Sequence, residues 1–247
     1  MTAIETDELT KRYGDVEALV DLSLTVPDGE LFALLGPNGS GKTTTIEILT
    51  GQLEPTSGTA SVLGHDPVAD PLAVRRSVGI LPEREDPPSF LTPREYLEFV
   101  GSVRDLDDVT ARIDEWAERF EFAGLLDTLS TDLSEGERQR VMLAAAFVHE
   151  PDLVFIDEPL VNLDPLMQEQ IKGHFREYVE RGNTVFLSTH FIEVAEELCT
   201  HVAIVSDGRL VAERDPRELD DGERLLDVFR TEVETADADT PAGPAQH

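Results

Sequence analysis

The run Leu31-Phe32-Ala33-Leu34-Leu35-Gly36-Pro37-Asn38-Gly39-Ser40-Gly41-Lys42-Thr43-Thr44 decides how the rest of the chain is read. Its first five residues are apolar and have the length of a buried strand. Residues 36–43 follow the spacing G-x-x-x-x-G-K-T, and residues 44–49 read as a helix. Strand, glycine-rich turn and helix start, in that order, make an anion cradle. The glycines let backbone N–H groups turn inward, and the helix start adds a partial positive charge. Lys42 would reach the β- and γ-phosphates of a nucleotide, and Thr43 would give its hydroxyl to Mg²⁺.

Cleaving a phosphoanhydride needs charge neutralisation and a positioned water, so carboxylates and polar groups near this loop are the next residues of interest. Leu153-Val154-Phe155-Ile156 is a continuous apolar run ending in Asp157-Glu158-Pro159. A strand apolar on both faces belongs inside a parallel sheet, and parallel sheets place ligands at the carboxyl edge. Asp157 there would hold Mg²⁺, and Glu158, next along, would orient the attacking water as its base. His190 follows a second apolar strand, 184–187, through Ser188-Thr189 and so reaches the same edge. Leu133-Ser134-Glu135-Gly136-Glu137 precedes a helix and offers a hydroxyl, a glycine and free N–H groups; alone it reads as a helix cap. Tyr13, in the turn between the first two strands, reads by position as a partly buried surface tyrosine. His65, His149, His174, His201 and His247 show no ligand spacing and read as surface or satisfied groups. No Cys/His cluster suggests zinc.

Composition bounds the rest. The 247 residues suit one large α/β domain or a domain with an inserted subdomain, and 40% hydrophobic content excludes a chain disordered throughout. With 20 basic against 51 acidic residues the net charge is −31, which makes nucleic acid or an anionic lipid surface an unsuitable general partner. Only Lys11, Lys42 and Lys172 are lysines. Such an acid-rich, lysine-poor chain resembles proteins of salt-rich cytoplasm, where a Debye length of ~3 Å at about 1 M salt screens self-repulsion. The lone cysteine, Cys199, forms no internal disulfide; the start lacks signal-peptide character, and no apolar run approaches the ~18 residues of a membrane span. A cytoplasmic chain with no direct membrane insertion is expected.

Along the chain, residues 3–26 alternate apolar and polar, notably at Leu22, Leu24 and Val26, and predict antiparallel strands before the Pro27-Asp28-Gly29 turn. Short strands are expected at 59–63 and 78–81. Thr92-Pro93-Arg94-Glu95 is a capping box with proline at the first helical position, which predicts a helix to about Val103. Val109, Ile113, Trp116 and Phe120 share one helical face, with Gly124 placed to end that helix. The block 84–150 therefore reads as an inserted helical subdomain, with Trp116 in its core and a further helix from near Ser134. Another helix is opened by Asp164-Pro165 and closed by Gly182, and Asp207-Gly208 sits between two strands as a hairpin turn. Residues 231–247 turn acidic and Ala/Pro-rich, which predicts a frayed tail after a domain spanning 1–230.

The order of these parts, 36–43, then 133–137, 153–158, Leu163-Asp164 and Ser188-Thr189-His190, resembles the ATP-binding subunits of ABC transporters from residue 3 to about 219. Leu81-Pro82-Glu83 and the stretch 188–211 look most like exporter-type (ABC-2-like) systems. The resemblance implies a P-loop NTPase core, a mixed sheet with parallel central strands flanked by helices, carrying an N-terminal antiparallel β subdomain and the helical insertion. It implies ATP and Mg²⁺ as cofactors and head-to-tail pairing with a second copy or a paralogue. On that analogy residues 36–44 hold ATP, Ser134 and Gly136 meet the γ-phosphate of the other subunit's ATP, and Tyr13 stacks on adenine. His190 holds the γ-phosphate, Glu158 is the base, and Asp164 couples the two sites. Glu83 stands where the family's glutamine senses Mg²⁺ and faces the membrane partner, a transmembrane permease that keeps the subunit on the inner face of the membrane. Three positions depart from the pattern: Glu83 for glutamine, and Glu135 and Glu137 for the commonest glycine and glutamine. Two rival readings are a soluble ABC-type ATPase of the iron–sulfur-assembly kind and a regulatory module that binds ATP without turnover. Co-purification with a membrane protein separates the first, and phosphate release the second.

Overall fold

The computed structural model describes residues 1–239 except Arg84, Val161, Asn162 and Asp221. Alternating side chains build its first layer. β1 (Thr2–Tyr13) and β2 (Val16–Pro27) pair antiparallel across Gly14, whose φ of 61° is the left-handed backbone a tight turn needs. After β3 (Leu31–Leu35) and helix α1 (Lys42–Leu49), β4 (Ser57–Val62) takes the free edge of β1, giving the order β2-β1-β4.

The second sheet comes from the apolar runs. Helix α2 (Pro71–Ser77) leads into β5 (Val78–Leu81); β6 (Leu153–Asp157), β7 (Thr184–Thr189), β8 (His201–Ser206) and β9 (Arg209–Arg214) complete the order β5-β6-β7-β3-β8-β9. Every pair is parallel except β8 with β9. That hairpin turns on Asp207 and Gly208, at φ 46° and 75°, the two positive values expected of a type I′ turn. Because successive side chains point to opposite faces, Leu31, Ala33 and Leu35 join Ile156 and Leu187 in one core, while Phe32 and Leu34 join Phe155 and Phe186 in another. The second core also takes Ile46, Ile48 and Leu49 of α1 and Leu22, Leu24 and Val26 of β2, so α1 is clamped between the two sheets. Each of these side chains contributes roughly 1.5–3 kcal/mol by leaving water.

The first core is closed by helices. α3 (Pro93–Val103) begins at the Thr92–Glu95 capping box, α4 (Val109–Arg119) follows, and α5 (Glu135–Phe147) begins at a second box formed by Ser134 and Glu137. α6 (Pro165–Glu180) is capped by Asp164, which accepts from the N–H groups of Leu166 and Met167; α7 (Ile192–Leu198) and α8 (Leu225–Asp239) complete the layer. Trp116 of α4 and Phe120 just after it, Phe147 of α5 and His174 and Tyr178 of α6 meet in one aromatic cluster, where His174 stands edge-on to Trp116, Phe120 and Phe147 at centroid distances of 5.0, 5.5 and 4.8 Å. This cluster joins the helical block to the sheet-bearing part.

Several expectations change. Gly124 does not end α4: the helix stops at Arg119, Glu121 takes the left-handed φ of 55°, and Gly124 lies in a short 3₁₀ turn, Ala123–Leu125. Burial of Phe120 and Phe122 on either side of Glu121 fixes the break there. The frayed tail is replaced over 231–239 by α8, whose Leu225 and Val228 dock into the first core and whose Glu232 pairs with Arg214 of β9 at 2.6 Å; the rest of the expected tail, 240–247, lies outside the described residues. Arg84, where the helical block was expected to begin, also lies outside them. Of the histidines read as surface or satisfied, His149, His174 and His201 each bury a ring nitrogen that has no hydrogen-bond partner among the described residues.

Candidate functional site

Three strand ends make the site. The register sets Leu35 of β3 against Thr189 of β7 and Asp157 of β6 against Ser188, so the residues that follow β3, β6 and β7 emerge side by side. β3 lies between β7 and β8, so the loop after it opens where chain connections diverge, the place where open α/β sheets bind ligands.

The loop after β3 needs its glycines. Gly41 has φ 100°, and a Cβ there would lie 2.5 Å from the Ala18 carbonyl oxygen and 2.6 Å from Leu19 Cδ2. At Gly36 a Cβ would lie 2.4 Å from the Val205 carbonyl oxygen. The loop is thus pressed between β2 and β8 with no room for a side chain at either point. Lys42, buried to 7% exposure, folds back to donate to the carbonyls of Gly36 and Pro37 at 2.9 and 3.1 Å. Desolvation lowers its pKa, opposed by the negative charges of Glu158, Asp157 and Glu83. Lys42, Thr43 and Thr44 open α1, so their N–H groups have no acceptor within the helix and face the loop's concavity.

The carboxylates are held with equal care. Thr43 donates to Asp157 Oδ2 at 2.8 Å, and Ser188 donates to Asp157 Oδ1. Glu158 has a left-handed backbone, φ 51°, a strain of order 1–3 kcal/mol in a non-glycine residue. Its surroundings fix it there: its N–H donates to Ser188 O (3.1 Å), Thr189 Oγ1 donates to Oε2 (3.1 Å), and the His190 N–H donates to Oε1 (3.0 Å). His190 Nδ1 lies 2.6 Å from the same Oε1. Strain kept at one buried acid points to chemistry at that acid.

Asn38, Gly39, Gly41, Lys42, Thr43, Thr44, Glu83, Asp157, Glu158 and His190 share a cavity of about 330 Å³. Gly36, Pro37 and Ser40 form the loop without lining it. Tyr13 also stands outside, 48% exposed at the end of β1, with the Lys11 ammonium 5.2 Å from its ring centroid. Ser134, Gly136 and Asp164 line a second depression of about 470 Å³ with Glu135, Glu137, Arg140, Leu163 and Met167, and no residue lines both. In it Glu137 Oε2 accepts from the Ser134 N–H and hydroxyl, each at 2.7 Å, and these bonds lower the Glu137 pKa. Sequence reasoning missed Ala18, whose carbonyl backs Gly41 and which carries no sequence signal. It also used Ser188 and Thr189 only as a path to His190; their alternation beside two adjacent acids was the signal that they hold those acids.

The profile of the ABC transporter family matches residues 19–161, from β2 past Glu158. The chain belongs to the ABC transporter family. Daunorubicin resistance ATP-binding protein DrrA3 of Streptomyces coeruleorubidus is 38% identical over 234 residues, 93% of this chain and 74% of that protein. Nod factor export ATP-binding protein I of Cupriavidus metallidurans is 36% identical over 241 residues, 95% of this chain and 79% of that protein. Probable multidrug ABC transporter ATP-binding protein YbhF of Escherichia coli is 37% identical over 220 residues, but the chain spans 38% of its length. A solved ATP-binding subunit of an ABC transporter superposes with a TM-score of 0.86 at 31% identity, covering 94% of this chain and 100% of that one. A dimeric ATP-binding cassette bound to ADP and Pi shares the fold at TM-score 0.80 and 24% identity, covering 87% and 100%.

This ABC subunit therefore binds and hydrolyses ATP on a P-loop core with a mixed sheet, an antiparallel β layer and helices. Thr43 and Asp157 supply the oxygen donors that suit Mg²⁺. Among the described residues no group of three or more His, Cys, Asp or Glu side chains is arranged to hold a metal ion. That donor set fits a metal bound mainly by phosphate oxygens and water, with the protein adding a hydroxyl and a carboxylate.

Proposed function

We propose that this subunit is the motor of an exporter: two copies, or one copy and a paralogue, close head to tail on ATP and reopen after hydrolysis, driving a separate transmembrane permease. The observation that carries the reading is the division of phosphate-binding groups between two surfaces of one chain. The loop site has the Lys42 ammonium, helix N–H groups and the carboxylates of Asp157 and Glu158; the depression at Ser134, Gly136 and Asp164 has a helix N-terminus, a hydroxyl and the Arg140 guanidinium but no lysine, and its Glu137 and Asp164 carboxylates cap helices. A second copy turned about a two-fold axis brings one against the other twice over. Tyr13 then stacks on the adenine, outside the triphosphate cavity.

In the loop site Lys42 and the first turn of α1 neutralise the β- and γ-phosphates. Thr43 and Asp157, which share the cavity with Glu83, would hold Mg²⁺, which would supply charge stabilisation for the transferring phosphoryl group. Glu158 takes a proton from the attacking water as the new O–P bond forms and the bond to the β-phosphate oxygen breaks, releasing ADP and phosphate. His190, beside Glu158, holds the γ-phosphate edge, and Asp164 links the two sites. No helix among the described residues is long and apolar enough to cross a membrane, so in this reading the subunit sits on the cytoplasmic face through its permease. The names of the drug-resistance and Nod-factor relatives support export.

The test is Mg²⁺-dependent ATP turnover in multimolar KCl. Glu158→Gln and His190→Ala should each lose at least about 10²-fold, the range for a general base. Undiminished turnover in both overturns the role assignments.

A further inference from the structure

Between β5 and α3 the chain passes Glu83 and then runs beside the stretch that leads into α5. Three ties join the two stretches. The Ser130 N–H donates to the Leu91 carbonyl at 2.9 Å, and the Thr131 N–H donates to the Ser89 carbonyl at 3.2 Å. Arg138, on the first turns of α5, makes the third: Nη1 donates to the Leu133 carbonyl at 2.6 Å, and Nε donates to Asp86 Oδ1 at 3.0 Å. One guanidinium thus grips the carbonyl immediately before Ser134 and a carboxylate three residues beyond Glu83.

Those two segments face different surfaces. Glu83 lines the cavity of the loop, and Ser134 lines the separate depression, which shares no lining residue with it. The capping box already accounts for the local geometry of Ser134 through Glu137, so Arg138 is not needed to start α5. An exposed ion pair alone is weak, and the Asp86 side chain is 63% exposed. A planar guanidinium with one prong fixed on a backbone carbonyl, however, loses little freedom when another prong takes a carboxylate. A lysine ammonium cannot reproduce that fork.

We infer that Arg138 is a positioning residue that makes the Ser134 surface of a subunit follow the Glu83 segment of the same subunit. The inference rests on the head-to-tail reading, in which these two segments meet different ATP molecules. Binding at a subunit's own loop, felt at Glu83, then sets Ser134 for the ATP held by the other subunit. Asp86 is the second half of the device.

The test uses full-length Glu158→Gln protein, which slows hydrolysis and holds the closed state. Sedimentation velocity against ATP concentration gives the midpoint of ATP-driven dimerisation, and a fluorescent ATP analogue at low protein concentration gives the affinity of the monomer. Adding Arg138→Lys or Asp86→Ala should raise the dimerisation midpoint about three- to fivefold, the scale of one modest ion-pair coupling. Monomer affinity should stay within twofold, Asp86→Glu should restore the midpoint, and the combined Arg138→Lys/Asp86→Ala change should do no more than either alone. A merely structural role would move the melting temperature and both binding curves together. Unmoved midpoints in a protein that dimerises normally, or losses that multiply in the combined variant, overturn the inference alone. Absence of any ATP-driven dimer in Glu158→Gln overturns the head-to-tail reading and this inference with it.

Discussion

His174 makes the fold acid-sensitive by a calculable amount. Its ring is 5% exposed and stands among Trp116, Phe120, Phe147 and Tyr178, with Arg119 Nη1 3.0 Å from Nδ1 and Nε2 buried without a partner among the described residues. Desolvation, with the nearby charges of Arg119 and Arg181, lowers its pKa to about 3. In the unfolded chain it titrates near ~6.5, so between those values the unfolded state binds more protons and stability rises with pH. The contribution is complete above about pH 6.5 and is lost as pH falls toward the folded value. From pH 7.5 to pH 5 the unfolded state gains about 2 kcal/mol from this one ring. Background titration of the many carboxylates cancels if wild type is compared with His174→Phe, which keeps an aromatic ring in the cluster but removes the proton site. Urea unfolding of both proteins at pH 7.5 and 5.0, at one multimolar KCl concentration, should show the wild type losing about 2 kcal/mol more than the variant on acidification. Parallel losses, within about 0.5 kcal/mol, would refute the account of a buried neutral imidazole at the joint between the helical block and the sheet-bearing part.

Three further outcomes follow from the site and the charge. Gly41→Ala should fold, yet lose ATP turnover by about 10²-fold, since the clash with Ala18 displaces the loop by a good part of an ångström; wild-type turnover would show that the loop tolerates a side chain there. Glu83→Gln removes a negative charge near the metal and should lower the Mg²⁺ concentration for half-maximal turnover about two- to fivefold in dilute salt, with the difference gone above about 1 M KCl; a gap that persists in high salt would contradict a charge effect. With a net charge of −31, the melting temperature should fall steeply as KCl is reduced from multimolar to about 0.1 M, and a flat curve in differential scanning calorimetry would exclude salt-dependent folding.

Local rules made most of the fold legible. The apolar run at 31–35 read as a strand and those at 153–156 and 184–187 as strands inside a parallel sheet, and a capping box at Thr92, an N-cap at Ser134 and Asp164-Pro165 opened α3, α5 and α6 where the structure has them. What failed depended on tertiary packing. The end of α4 is set by two buried phenylalanines rather than by Gly124, and α8 continues past Thr231 after its first turn docks into the core, a gain absent from local composition. The loop site was legible because its residues lie at three strand ends whose adjacency follows from parallel pairing. Its supporting groups, Ala18, Ser188 and Thr189, were not, since their roles arise from register across separate strands. The spatial company of Ser134 with Asp164 was equally hidden, because 29 residues and a buried strand separate them in the chain.

The claim that one copy's loop and another copy's Ser134 surface enclose the same triphosphate has a direct test. Asn38→Cys and Glu135→Cys, introduced together in the Glu158→Gln protein, place one thiol at each surface, and the native Cys199 is buried and kept protonated by its burial. With a short bifunctional thiol reagent, intermolecular cross-linking between positions 38 and 135 should appear with Mg²⁺ and ATP and vanish with ADP or without nucleotide. Cross-linking that ignores nucleotide, or an ATP-driven dimer that never joins these two positions, would contradict it.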